Sequence, residues 1–146
     1  MLYPVHTTRL LRGLARSMTL IIALMTLPPS VCYAKLTVMS ATPTSVTLTW
    51  TAPGDDGNIG TATLYDIRYS TSPVDESNWD QATQVTGEPA PQVAGSAESF
   101  DVTGLDPGTV YYFAIKTADE VSNWSPISNV IGKSTEAEQD LSLIHI

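Results

Sequence analysis

The sequence predicts an all-β protein: a seven-stranded antiparallel sandwich of two sheets that follows an N-terminal signal peptide. Three observations favour this fold. After residue 34, apolar residues alternate with Ser and Thr, as they do in strands that bury one face. Turn-forming residues recur about every 8–12 positions over roughly 100 residues, which is typical of a sandwich. The same stretch shows no helical period in its apolar residues.

Residues 1–34 are organised as a secretory signal. Three arginines precede an apolar run at residues 18–27, and Ala34 supplies a small residue at the predicted cleavage point. The run is shorter than the ~20 residues that a membrane-spanning helix needs. We therefore predict an exported protein, secreted or held at the cell surface. Two alternatives stay open: an uncleaved membrane anchor, and lipidation at Cys32.

The charge limits the classes of partner, and the cysteine count indicates how the domain is stabilised. The chain has 7 basic and 15 acidic residues, a net charge of −8, and removal of the signal would leave 4 basic residues and a net charge of −11. Such a surface repels phosphate groups, so nucleic acid and anionic lipid are poor partner candidates. Cys32 is the only cysteine, so the predicted domain must be held together by packing and not by a disulfide.

Alternation and turn residues then predict the first three strands. Apolar residues at alternate positions predict β1 at 36–38 and β2 at 46–50, and Pro43 separates the two. Residues 53–60 read PGDDGNIG, a composition typical of a turn. Alternate apolar positions resume at 65–69, which predicts β3.

The second half of the domain follows the same rule. Residues 82–86 predict a short edge strand, β4, and residues 87–95 are too rich in Pro and Gly to be anything but a loop. Phe100, Val102 and Leu105 then mark β5 at 100–105. Alternating apolar residues predict β6 at 111–117, and a last apolar group predicts β7 at 127–131.

Three motifs, taken in order, indicate a particular family. Residues 45–50 read SVTLTW, residues 65–69 carry Tyr, Ile and Tyr at alternate positions, and residues 104–111 read GLDPGTVY. In this order and spacing they resemble a fibronectin type III domain, an immunoglobulin-like sandwich, over about residues 35–135. The variant resembles bacterial members found in large secreted proteins. The resemblance implies a domain at 35–134 that binds or spaces other parts of a protein and is not catalytic.

The large residues of these motifs are expected in the core. Trp50 is large enough to bridge the two sheets. Tyr111 lies where a sandwich places its tyrosine corner, with the ring at the edge of the core and the hydroxyl bonded to upstream backbone. Leu105 is expected to close the same end. The predicted structural core contains Trp50, Tyr65, Ile67, Leu105, Tyr111 and Phe113.

Catalytic chemistry is missing from the predicted domain. His6 and His145 lie in the signal and in the C-terminal tail, so the domain has neither histidine nor cysteine. This excludes Ser–His and Cys–His nucleophile pairs, an imidazole base and the usual zinc ligands. A carboxylate-pair glycosidase needs a sugar cleft that loops on so small a domain do not offer. We predict that the protein is not an enzyme and needs no cofactor.

Two acidic loops are a candidate calcium site. They follow β2 and β6 (the B–C and F–G loops of the family), and a sandwich of this topology places both at one end. Calcium takes six to eight oxygen ligands, and these loops supply carboxylates and an amide. The alternative is that the same residues form turns and carry surface charge. The candidate ligands are Asp55, Asp56, Asn58, Asp119 and Glu120.

Two tryptophans fall outside the predicted core face. Trp79 lies in the connection after β3, and Trp124 follows the loop after β6. Exposed aromatic rings flanked by polar groups can stack on sugars, so contact with a carbohydrate is one hypothesis. The alternative is that each ring covers an edge of the core. Their places in the chain predict opposite ends of the domain.

Beyond residue 134 the chain becomes polar, as in a linker, and residues 135–146 form the predicted tail. Its last six residues, 141–146, resemble the translation of a sequencing adapter. We predict a monomeric, non-catalytic spacer or protein-interaction module at the N-terminus of a longer secreted protein. Its partners would be other domains of the same chain, or an extracellular protein or polysaccharide. The alternative is a carbohydrate- or calcium-binding module.

Overall fold

The computed structural model describes residues 34–55, 57–140 and 142, so the predicted signal peptide before Ala34, Asp56 and most of the hexapeptide 141–146 lie outside the described residues. Seven strands form two antiparallel sheets, as predicted, and no α-helix occurs in the described part. One sheet has the order β1-β2-β5 and the other β4-β3-β6-β7. The strands are β1 Thr37–Ala41, β2 Ser45–Thr51, β3 Leu64–Ser70, β4 Thr83–Gln84, β5 Ala97–Thr103, β6 Val110–Ala118 and β7 Ile131–Ser134.

Alternation of small hydroxyl and large apolar residues forms the three-stranded sheet. β2 lies in the centre, with Val46, Leu48 and Trp50 buried and the Ser and Thr between them facing outward. It pairs with β5 over seven residues, and its register with β1 shifts between Val38 and Ser40. β5 presents Phe100 and Val102 to the same face as β2, and β1 presents Val38 and Ala41, whereas Met39 faces outward.

The four-stranded sheet is built around the pairing of β3 with β6, which runs from Leu64 opposite Ala118 to Ser70 opposite Tyr112. On the inner face, Tyr65 and Ile67 lie opposite Thr117 and Ile115. On the outer face, Asp66 lies opposite Lys116.

All seven strands differ from their predicted bounds, by one to three residues in β1 to β6 and by up to four residues in β7. β7 begins at Ile131, four residues after the predicted start at residue 127. The reason is that Ser125 and Ser128 bond the edge of β6 with their own side chains, so residues 125–128 follow β6 without forming a ladder strand. A short 3₁₀ turn, Trp79–Gln81, precedes β4, and it is too short to show a helical period in the sequence.

The main core lies between the sheets. Trp50 of β2 meets Tyr65 of β3 edge-on, with ring centroids 5.2 Å apart, and so joins the two layers. Tyr69, Tyr111 and Phe113 form a second aromatic group towards the other end of the sandwich. The remaining members are aliphatic, with Leu36, Val46, Leu48, Ile67, Val102 and Ile115 the most completely buried.

A smaller cluster lies outside the sandwich, on the outer face of the four-stranded sheet. The chain between β3 and β4 folds back over this face and packs Val74 and Trp79 against Ala114 of β6. Ala82, Tyr112 and Ile127 pack around them. This second layer determines the surroundings of the candidate site.

Candidate ligand-binding cleft

The six residues predicted for the core are all buried: Trp50, Tyr65, Ile67, Leu105, Tyr111 and Phe113. The Tyr111 hydroxyl accepts a hydrogen bond from the backbone N–H of Asp106, five residues upstream, at 3.1 Å. The Tyr65 hydroxyl donates to the buried Glu98 carboxylate at 2.8 Å. Burial, and then the neighbouring Glu98, raise the pKa of Tyr65 well above its ordinary value. These residues connect strands and offer little surface to a ligand.

The loop after β6 is organised by Asp119. Its carboxylate accepts hydrogen bonds from the backbone N–H groups of Val121 and Asn123, at 3.0 and 2.8 Å, and from the Asn123 side chain at 2.7 Å. Ser122 takes a positive φ of 63° in the middle of this turn. The hydrogen bond from the Asn123 backbone is the main reason that the pKa of Asp119 lies below its ordinary value. Asp119 therefore acts here as a turn former.

The structure gives no further support to the candidate calcium ligands. Asp55 and Asn58 lie in the loop after β2, Glu120 lies beside Asp119, and Asp56 is outside the described residues. Within the described ranges, no group of three or more His, Cys, Asp or Glu side chains is placed to hold a metal ion.

Trp79 is not the exposed contact that the carbohydrate hypothesis assumed, because only 6% of it is accessible. The segment between β3 and β4 lays the indole on the sheet, where two cations approach its ring. The Arg68 guanidinium carbon lies 5.0 Å and the Lys116 Nζ 4.8 Å from the ring centroid. Attraction between these cations and the indole π system adds to the burial energy. Trp79 thus belongs to the second hydrophobic layer.

Trp124, by contrast, remains 47% exposed, and it lies beside Trp79 and not at the opposite end of the domain. The two indoles line one cleft of about 330 Å³ on the outer face of the four-stranded sheet. A backbone bridge between Ala118 and Trp124 holds the chain against the end of β6. The cleft is lined by Asp66, Arg68, Trp79, Asp80, Lys116 and Trp124.

Ion pairs fix the charged side of the cleft. Arg68 Nε donates to both carboxylate oxygens of Asp66, at 3.0 and 3.2 Å, and Nη2 donates to Oδ2 at 3.0 Å. Arg68 Nη1 donates to the Trp79 carbonyl at 3.0 Å and lies 3.6 Å from the Asp80 carboxylate. The guanidinium therefore connects the sheet to the segment that covers it.

Lys116 is held from the other side. Its Nζ donates to Glu76 Oε2 at 2.6 Å, and Glu76 Oε1 accepts the backbone N–H of Ile127 at 2.6 Å. These hydrogen bonds, the one from Lys116 first, lower the pKa of Glu76. Glu76 thus joins the segment between β3 and β4 to both β6 and the chain before β7.

Sequence reasoning did not find the charged residues of this cleft. Asp66, Arg68 and Lys116 are the polar alternates of strands that were assigned from their apolar residues. A charged residue on an alternating strand indicates only an outward face. The register that brings Asp66 opposite Lys116 is a long-range property.

With the fold and cleft described, the class of protein is clear: two antiparallel sheets and a tyrosine corner define an immunoglobulin-like sandwich. Within that class, the fibronectin type III domain family matches residues 27–131, and the chain belongs to this family. The match begins seven residues before the predicted end of the signal at residue 34.

Several animal proteins share the domain. Calcium-activated chloride channel regulator 1 of Homo sapiens is 41% identical over 92 residues, which cover 58% of this chain and 10% of that protein. Calcium-activated chloride channel regulator 4 of Homo sapiens is 37% identical over 91 residues, with the same coverage. Regulator 3A-1 of Mus musculus is 35% identical over 105 residues, 66% of this chain and 12% of that protein. These animal relatives do not support the bacterial resemblance.

The chain thus spans about a tenth of the length of the curated relatives it matches. A solved structure described as that of a myokine matches with a TM-score of 0.49 and 16% identity, over 73% of this chain and 99% of that one. Within the part of the chain that the structure describes, no helix has the length and apolar character to cross a membrane.

Proposed function

We propose that this chain is a non-catalytic module of a longer exported protein, in which it spaces neighbouring domains or binds another protein. A signal at 1–34, a domain at 35–134 and a linker-like tail at 135–146 would give this organisation. The observation that carries the proposal is the family match, which in the relatives occupies only about a tenth of a much longer chain. A non-catalytic module of this size would act through its surface.

We propose that another protein binds the loop end, the end of the sandwich that carries the loops after β2 and β6. Ile59 in the loop after β2 and Val121 in the loop after β6 are 74% and 67% exposed. Val93 and Leu64 are also exposed there, and the hydrogen bond from Ala94 to Gly60 holds the loop of Val93 against that of Ile59. We propose that these exposed apolar side chains form the interaction surface.

Calcium is not part of the proposal, because the Asp119 carboxylate is occupied by the hydrogen bonds of its own loop. Nucleic acid is not either, because the net charge of −8 opposes it. The proposed partners are domains of the same chain or an extracellular protein, and the module itself is proposed to be monomeric.

Long-read sequencing of the source DNA beyond the Asp140 codon tests the modular proposal. We expect an open frame that continues into further domains. A stop codon directly after Ile146 would contradict it. If further domains are found, we expect them to bind the loop end of this module. The double variant Ile59→Ser/Val121→Ser should then bind them no longer, which is measured by NMR chemical-shift changes when the module and the domains are mixed. Met39→Ser is the matched control, because Met39 is 73% exposed but lies on the outer face of the three-stranded sheet, away from the loop end.

A further inference from the structure

The cleft between the two indoles combines an exposed aromatic ring with fixed polar groups. A single exposed tryptophan needs no explanation, since apolar residues are common on protein surfaces. Here, however, Trp124 borders a cavity whose other walls carry two carboxylates and two cations. Small-ligand sites combine aromatic walls with precisely placed polar groups, and this cleft has both, with charged residues in the majority.

The polar groups are held in place before any ligand arrives. Only 15% of the Arg68 and Lys116 side chains is accessible, because each is fixed by an ion pair and by contact with Trp79. The Asp80 carboxylate is 96% accessible and stands at the rim. Groups that are already ordered lose little entropy on binding, which favours affinity.

Trp124 is also held at its backbone. The N–H of the next residue, Ser125, donates to the Thr117 carbonyl at 2.8 Å, and the Ser125 hydroxyl accepts the Thr117 N–H at 3.0 Å. The indole is therefore attached to β6 directly beside Lys116 and Ala118, and belongs to neither hydrophobic cluster. Its exposed ring is an apolar platform at the edge of the cleft, on backbone that is held by β6.

From these features we infer that the cleft binds a neutral sugar unit of an oligosaccharide, with the pyranose ring stacked on Trp124. The axial C–H groups of a pyranose match an indole face, and its hydroxyls are both donors and acceptors. The accessible Asp80 carboxylate can accept hydrogen bonds from them, and Arg68 and Lys116 keep further N–H groups that can donate hydrogen bonds. The cleft volume of about 330 Å³ is at the small end of ligand sites, so it accommodates one or two sugar rings.

Charge decides that the sugar is neutral. The two carboxylates and the two cations that line the cleft cancel, and Glu76, which is paired with Lys116, leaves the group as a whole with one net negative charge. The chain as a whole carries a net charge of −8, which repels acidic polysaccharides. A neutral ligand avoids that repulsion and leaves the ion pairs of the cleft intact. This site is on the outer sheet face, so it does not depend on the loop-end contact proposed above.

The test is an NMR titration of the full chain labelled with ¹⁵N, against separate neutral gluco-, xylo-, manno- and chito-oligosaccharides at millimolar concentration. An acidic galacturonate oligomer and an aromatic peptide serve as the competing ligand classes. We expect at least one neutral oligosaccharide to shift the Trp124 indole and Arg68 Nε signals. The proposal is overturned if none does so, or if only the acidic oligomer or the peptide shifts them.

Variants separate stacking from general surface effects. Trp124→Ala should weaken the binding at least about tenfold, and Trp124→Phe should weaken it less, because a smaller ring still stacks. Asp80→Ala, which changes a fully accessible side chain, should weaken binding without changing the melting temperature. Val130→Ala, also at an exposed apolar residue, is the control and should bind as the unaltered chain does. Equal binding by Trp124→Ala and Val130→Ala would refute the site.

Discussion

The tyrosine corner shows how one hydroxyl contributes to this sandwich. The Tyr111 ring packs against Tyr69 and Phe113, while its oxygen accepts the Asp106 backbone N–H at 3.1 Å. That N–H belongs to the turn that leads from β5 to β6 and has no strand partner to bond it. Tyr112, the next residue, faces the other way and contributes its ring to the outer layer. The Tyr111 hydroxyl bonds the backbone, whereas the Tyr112 hydroxyl makes no hydrogen bond among the described residues. Tyr112 is therefore a matched control for Tyr111.

Replacement of that single oxygen should be measurable. We expect Tyr111→Phe to lower the free energy of unfolding by about 1–2 kcal/mol, because the Asp106 N–H loses its acceptor. Tyr112→Phe should change it by less than about 0.5 kcal/mol. Urea denaturation followed by tryptophan fluorescence gives both values. Equal effects of the two substitutions would mean that the corner hydroxyl contributes nothing specific.

At the scale of elements, the chain before β7 associates with β6 in an unusual way. Ser128 accepts the Ile115 N–H through its side chain at 3.0 Å, and its own N–H donates to the Ile115 carbonyl at 3.0 Å. Ser125 repeats the arrangement on Thr117. The serine hydroxyls replace ladder acceptors, so this segment covers the edge of β6 and still places Trp124 and Ile127 on the outer face.

Loss of one such hydroxyl should open the edge locally. Ser128→Ala removes the acceptor of a buried N–H, so we expect a loss of about 1–3 kcal/mol in stability. Hydrogen exchange of the Ile115 amide should accelerate by more than the global change explains. Ser99→Ala, on the exposed face of β5, is the control and should leave both measurements unchanged. Unaltered exchange at Ile115 in Ser128→Ala would contradict this account of the edge.

The whole molecule is stabilised by burial between and outside the sheets. Trp50 and Tyr65 join the two layers, and Trp79 with Val74 adds a third layer on the outer face of one sheet. Cys32 is the only cysteine of the chain, so no intramolecular disulfide contributes. Packing, hydrogen bonds and ion pairs therefore stabilise the domain without a disulfide within the chain.

Because no disulfide within the chain is possible, we expect a reductant to leave the thermal stability unchanged. The midpoint of thermal unfolding of the full chain, followed by circular dichroism, should be the same with and without a thiol reductant at equal protein concentration. Cys32→Ser is the matched control and should melt at the same temperature as the unaltered chain. A midpoint that falls on reduction would show that an intermolecular disulfide through Cys32 stabilises the protein.

The sequence by itself determined the strands, the sandwich and the family. Alternation at Val46, Leu48 and Trp50 is a local property, because successive side chains of a strand face opposite sides whatever the rest of the chain does. The turn before Tyr111 is also a local property, because Pro107 restricts the backbone angle φ and Gly108 permits a positive φ.

Only the tertiary structure decided where the two tryptophans lie. Trp79 is buried because the segment between β3 and β4 folds over the sheet, and no local pattern specifies that path. The cleft requires in addition the register that places Asp66 opposite Lys116, residues 50 positions apart in the chain. Contacts between distant residues depend on the free energy of the whole fold, so the cleft exists only once the sheets have formed and the segment has packed on them.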